Sequence, residues 1–193
     1  MLFRSTIWCT PGTADVCGLL LPDAARLEEE EAHYANVHHT SRHDPALPLF
    51  TEHDADQALR QFRTQPFSSS FTPVHGVRAR FSHAGHIIGA ATLTIDDGDT
   101  CITFSGDLGR PRDAVMHSPE ARPRSDVLVV ESTYGDRRHP PSSGRNELAE
   151  ATRSTIARGG TLLIPAFAVG RTQEVLFLLG ELHSTGSIDR KST

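Results

Sequence analysis

Two short strings carry the side chains best suited to hold a cation. Ala84-Gly85-His86-Ile87-Ile88-Gly89-Ala90 offers an imidazole, and Ser105-Gly106-Asp107-Leu108-Gly109 offers a carboxylate. Both ligand types suit a borderline cation such as zinc. A carboxylate can also bridge two cations, and two-metal sites are a common means of hydrolysing phosphate esters. A third string, Val129-Val130-Glu131-Ser132-Thr133-Tyr134-Gly135-Asp136-Arg137, ends an apolar run with Glu131, which could orient a histidine for proton transfer. Each string alone has an ordinary reading. His86 could be a solvated loop histidine, with His83 close enough to compete for its role. Asp107 could simply bond the amides of its own turn. Glu131 could be an exposed strand end. Arg137, Arg138 and His139 could grip a phosphate or lie in a solvated loop. Taken together, the three strings point to a metal-dependent phosphodiesterase.

The elements around these strings must aim them. The run Thr6 to Thr10 is β-prone and is punctuated by Pro11-Gly12. Thr13 is a plausible N-cap for a helix from Ala14 to Leu21. Pro22-Asp23 should interrupt that helix, which resumes from Ala24 to about Tyr34 with Glu28 to Glu31 on its wet face. Asn36 to Pro48 is an irregular loop. Its His38, His39, His43 and Asp44 match no usual ligand spacing. Glu52 to Phe62 carries helical periodicity.

Strands should follow. Gly76 to Phe81 alternates apolar and polar residues. Gly89 to Ile95 and Thr100 to Phe104 flank an Asp-Gly turn and should form a hairpin. Asp126 to Glu131 is nearly all apolar and predicts a strand covered on both faces. The sequence then predicts a helix from Asn146 to about Ala157, a buried strand from Gly159 to Pro165, and a helix from Arg171 to His183. In that last helix Val175, Leu176, Leu179 and Leu182 should face inward. Hairpin strands followed by alternating strands and helices make an α/β layered chain. The strings therefore fall at strand ends, where a sheet presents ligands.

The bulk composition excludes several classes. The 193 residues are 37% hydrophobic and 22% charged, as expected of a globular domain. No stretch approaches the roughly 20 apolar residues of a membrane span. Nor does the start read as a signal peptide, so the cytoplasm is the expected location. Cys9, Cys17 and Cys101 have no CxxC spacing, which argues against both disulfides and a thiolate zinc site. A net charge of −5 leaves no global basic field for nucleic acid. Bound cations can supply positive charge locally instead. Of the 19 basic residues only Lys191 is a lysine, a bias that suits phosphate binding but fits codon usage as well.

Order and spacing add a resemblance. Gly-His-x-x-Gly, Ser-Gly-Asp, Glu-Ser-Thr-Tyr-Gly-Asp-Arg and Ile164-Pro165-Ala166-Phe167-Ala168-Val169-Gly170-Arg171-Thr172-Gln173-Glu174 occur in that order. The series resembles the β-CASP ribonucleases of the metallo-β-lactamase superfamily, which include the endonuclease of pre-mRNA 3′-end cleavage. The resemblance extends over nearly the whole chain, including the helix from Thr13 to Leu27 and the segment Pro48 to Asp54. It implies a partial metallo-β-lactamase αββα sandwich at 1–135, followed by the start of a β-CASP α/β cassette at 136–193.

By the same resemblance, His86 is a metal ligand, Asp107 bridges two zincs, and Glu131 is the catalytic acidic residue that pairs with a later histidine. RNA is the implied partner. Oligomeric state is left open, with a homodimer among the options. The family's HxHxDH string, which supplies most of the metal ligands, does not occur in this chain. The expectation is therefore a truncated zinc-dependent RNA phosphodiester hydrolase, inactive by itself. Two alternatives compete with it: a non-catalytic scaffold of an RNA-processing complex, and a small-molecule hydrolase of the same fold.

Overall fold

The computed structural model describes residues 5–121, 124–137 and 144–189. Strand β1 (Ile7–Cys9) leads into helix α1 (Pro11–His38), and helix α2 (Glu52–Leu59) leads into β2 (Phe62–Thr64). β1 and β2 pair in parallel, with Trp8 opposite Arg63. Strands β3 (Ser70–Val74), β4 (Val77–His83), β5 (Ala91–Asp96), β6 (Cys101–Phe104) and β7 (Val127–Val129) form a second sheet in that order. All its neighbours are antiparallel except β6 and β7. Helices α3 (Arg145–Ala157) and α4 (Arg171–Ser184) follow. The chain is α/β, with helices and mixed sheets.

Local chemistry accounts for the starts of these elements. Thr10, not Thr13, caps α1, accepting a hydrogen bond from the Thr13 N–H at 3.2 Å, and Pro11 occupies the first turn. The predicted break at Pro22-Asp23 does not occur, and α1 runs through Pro22 for 28 residues. Gly18, four residues before the proline, carries no side chain to crowd its ring. Arg26 also bridges Asp23 at 2.7 Å and Glu30 at 3.1 Å, pinning the turns that follow. Thr51 and Asp54 form a capping box at α2. That helix stops at Leu59, so Phe62 belongs to β2 and not to the helix.

The core lies between β1 and the second sheet. Phe71, Ala79 and Phe81 are buried, with Trp8, Phe67, Ala91 and Leu93 packed around them. The Trp8 and Phe71 ring centroids are 5.3 Å apart, and those of Phe71 and Phe81 are 5.2 Å apart. These are favourable aromatic separations. β3 was not visible in the sequence. It carries a register shift between Phe71 and Val74 and contains Pro73, which an edge strand tolerates.

Toward the C-terminal end the structure departs from expectation. Val127, Leu128, Val129 and Val130 are all exposed, so β7 is an edge strand and is not covered on both faces. Gly159 to Pro165 forms no strand, and Leu163 is 84% exposed. A strand needs a hydrogen-bonded neighbour, and this segment has none among the described residues. In α4, Leu182 is buried but Leu176 is 63% exposed.

Candidate functional site

The loop carrying His86 is tied down at both ends. Ala84 N–H donates to the Ala90 carbonyl at 3.2 Å, and Gly109 N–H donates to the Ala84 carbonyl at 2.8 Å. The hydroxyls of Thr10 and Thr13 converge on the Gly89 carbonyl at 2.7 and 3.0 Å, docking the start of α1 on the loop. Two glycines make these approaches feasible. Gly89 has a φ of +83°, and a Cβ there would lie 2.2 Å from the Thr13 nitrogen. A Cβ on Gly109 would lie 1.7 Å from the Gly85 carbonyl oxygen, bringing the Asp107 turn against the His86 loop.

The two strings therefore meet. His86 Nε2 lies 3.9 Å from Asp107 Oδ2. His83 does not compete: its ring stacks on Phe67 at 3.7 Å and faces His117 at 5.4 Å. Glu131 joins from the end of β7. Its Oε1 accepts the Leu108 N–H at 2.5 Å, and its own N–H donates to the Ser105 hydroxyl at 3.0 Å. The Leu108 amide, then the Thr133 hydroxyl and the nearby His86, hold the Glu131 carboxyl below its ordinary range, against a smaller opposing effect of burial. Glu131 is thus a fixed carboxylate that holds the Asp107 turn in place.

Sequence reasoning quoted Ser105 but missed its function. It is buried and supports Glu131 from below. Arg137 is ion-paired with Asp136 at 3.1 Å and sits over the Tyr134 ring at 5.5 Å. Arg138, His139 and Lys191 lie outside the described residues.

All three side chains line one open cavity of about 870 Å³, whose far wall is the segment leading into α4. The donor chemistry of His86 and Asp107 fits zinc, and two ligands of one cation should stand roughly 3–3.5 Å apart, close to their separation. The number of donors does not fit. Among the described residues no group of three or more His, Cys, Asp or Glu side chains could hold a metal ion. A catalytic zinc ordinarily takes three protein ligands.

The chain is similar in sequence to several known proteins. The chain is 33% identical to the endoribonuclease YSH1 of Yarrowia lipolytica over 181 residues, covering 93% of this chain and 20% of that protein. It is 31% identical to cleavage and polyadenylation specificity factor subunit 3 of Dictyostelium discoideum, over 93% of this chain and 22% of that protein. It is 29% identical to the ribonuclease TTHA0252 of Thermus thermophilus, over 92% of this chain and 37% of that protein. No family model matches the chain.

The chain belongs to the β-CASP ribonuclease family of the metallo-β-lactamase superfamily. It spans about a fifth of the length of the YSH1 relatives it matches. The YSH1 and TTHA0252 relatives are ribonucleases by name.

Proposed function

We propose that this chain forms part of a zinc-dependent RNA phosphodiesterase and does not hydrolyse RNA by itself. The observation that carries the reading is the 3.9 Å approach of His86 and Asp107 beside an anchored Glu131. In this reading His86 and Asp107 are metal ligands, with Asp107 shared between two zincs. Zinc held there would polarise the phosphate and offset the charge that develops on it. Residues 1–135 would form the metallo-β-lactamase part and 136–193 the opening of the β-CASP part.

Hydrolysis breaks a P–O bond, and the departing oxygen needs a proton. Glu131 is not the donor, because its hydrogen bonds keep it ionised. It acts instead as a positioning residue, fixing the Asp107 turn and presenting a negative charge to orient an imidazolium. The negative cavity wall around Asp107 and Glu131 would repel RNA unless cations neutralised it, which is consistent with a metal requirement. Three free cysteines suit a reducing compartment such as the cytoplasm. No helix among the described residues is long and apolar enough to cross a membrane.

The count of two ligands favours a second reading, a non-catalytic partner of an active nuclease. Retention of His86, Asp107 and Glu131 in one place weighs against it. The deciding experiment joins this chain to an HxHxDH-bearing segment and a downstream cassette segment, then assays RNA cleavage with zinc. Cleavage is expected. Asp107→Asn should nearly abolish it, and Glu131→Gln should slow it while zinc content stays intact. Cleavage of a small ester but not of RNA would sink the reading, as would zinc loss in Glu131→Gln.

A further inference from the structure

We infer that Arg110 and Phe167, which both line the cavity, contact the RNA itself: Arg110 takes a backbone phosphate and Phe167 stacks a base. The inference rests on the nuclease reading above and goes on to name the residues that grip the substrate. Two arginines line the cavity, and only one is available. Arg171 is ion-paired with Glu174. Arg110 is exposed and has no acidic partner among the described residues.

Its backbone is nevertheless held on both sides. Gly109 N–H donates to the Ala84 carbonyl at 2.8 Å, and the Ser118 hydroxyl donates to the Pro111 carbonyl at 2.6 Å. A guanidinium anchored at its base and free at its tip suits phosphate recognition. Asp107, Asp113 and Glu131 also line the cavity, so Arg110 is a point where an anionic backbone can be attracted without a bound metal.

Phe167 is built the same way. Its side chain is 87% exposed yet lines the cavity. Its carbonyl accepts the Thr172 hydroxyl at 2.6 Å, and the next carbonyl, of Ala168, accepts the Gln173 amide at 2.9 Å. The Gln173 side-chain oxygen in turn accepts the Gly170 N–H at 2.7 Å. The first turn of α4 therefore fixes the backbone while the ring stands in the open. A rigidly presented aromatic ring in the same cavity as a free cation is how proteins hold single-stranded nucleic acid, since every base has a face to stack.

The test measures binding of a short labelled single-stranded RNA to the purified chain by fluorescence anisotropy, across a salt series. Arg110→Gln should weaken binding and flatten the slope of log K against log salt by about 0.7, the release expected for one phosphate on a single strand. Phe167→Ala should weaken binding about tenfold with the slope unchanged, and Phe167→Trp should restore it. Arg26→Gln, which removes an ion-paired arginine outside the cavity wall, should change neither. An unchanged slope in Arg110→Gln, or no rescue by Phe167→Trp, overturns the inference. If wild type binds RNA and neither variant alters it, the inference fails while the nuclease reading stands. If wild type binds no RNA at all, the inference fails, while the nuclease reading is decided separately by the cleavage assay of the joined protein.

Discussion

Strands β3 to β6 and the stretch from Val127 to Ser184 differ in how far they bury their residues. In the first, every strand of four or more residues has a neighbour, and burial extends to hydroxyls such as Thr92 and Thr103. The Thr92 hydroxyl donates to the Ser105 carbonyl at 3.0 Å, so its burial is compensated. In the second, Leu163, Phe167, Leu176 and Phe177 remain exposed, and α3 and α4 bury few side chains. The first stretch is stabilised by long-range pairing, and the second mainly by its own helical turns. The candidate site lies at the seam, with His86 and Asp107 on loops beside these strands and Glu131 and Phe167 from the second stretch.

The comparison can be broken most directly in the core. Phe81→Ala should destabilise the chain by about 3–5 kcal/mol, because the ring is buried among Phe71, Ala79 and Leu93. Leu163→Ala should cost no more than about 0.5 kcal/mol. Urea unfolding of the two variants checks this, and equal shifts of the midpoint would remove the distinction.

A smaller effect is expected at the joint between α1 and the His86 loop. Gly89→Ala places a methyl group against the Thr13 backbone at positive φ, a strain on the order of 1–3 kcal/mol. Thermal melting should show the loss. An unchanged melting temperature would mean that the loop is not clamped as described.

The smallest effect is pH-dependent and sharpens the seam. The Glu131 carboxyl is held below its ordinary range in the folded chain, so its contribution is fully present above the ordinary carboxyl range. It is lost as pH falls through the lowered folded value. Glu131→Gln should therefore lower stability near neutrality and flatten the fall in stability toward about pH 3. Urea midpoints measured across that range test the sign, and a parallel fall in both proteins would contradict it.

Helices proved more legible than strands, for a physical reason. The hydrogen bonds of α3 and α4 are local, so their periodicity was enough to find them. Thr161 to Ile164 has the composition of a strand, but composition does not supply a neighbour. Pro22 misled in the opposite direction: α1 runs through it, against the rule that proline ends a helix. β2 and β3 were hidden by their shortness and by Pro73. At the site, glycine-flanked His86 and Asp107 and the strand-ending Glu131 were all visible as strings. Their juxtaposition depends on the Gly109 and Gly89 contacts, which link residues far apart in sequence. Phe167 was quoted only as part of a string and Arg110 not at all, because their significance lies in what surrounds them.

The central claim is that His86 and Asp107 are two ligands of an incomplete metal site. Calorimetric titration of the purified chain with zinc tests it most directly. The account predicts weak binding that disappears in both His86→Ala and Asp107→Asn, with the fold unchanged by circular dichroism. Tight one-to-one binding that survives His86→Ala would contradict it.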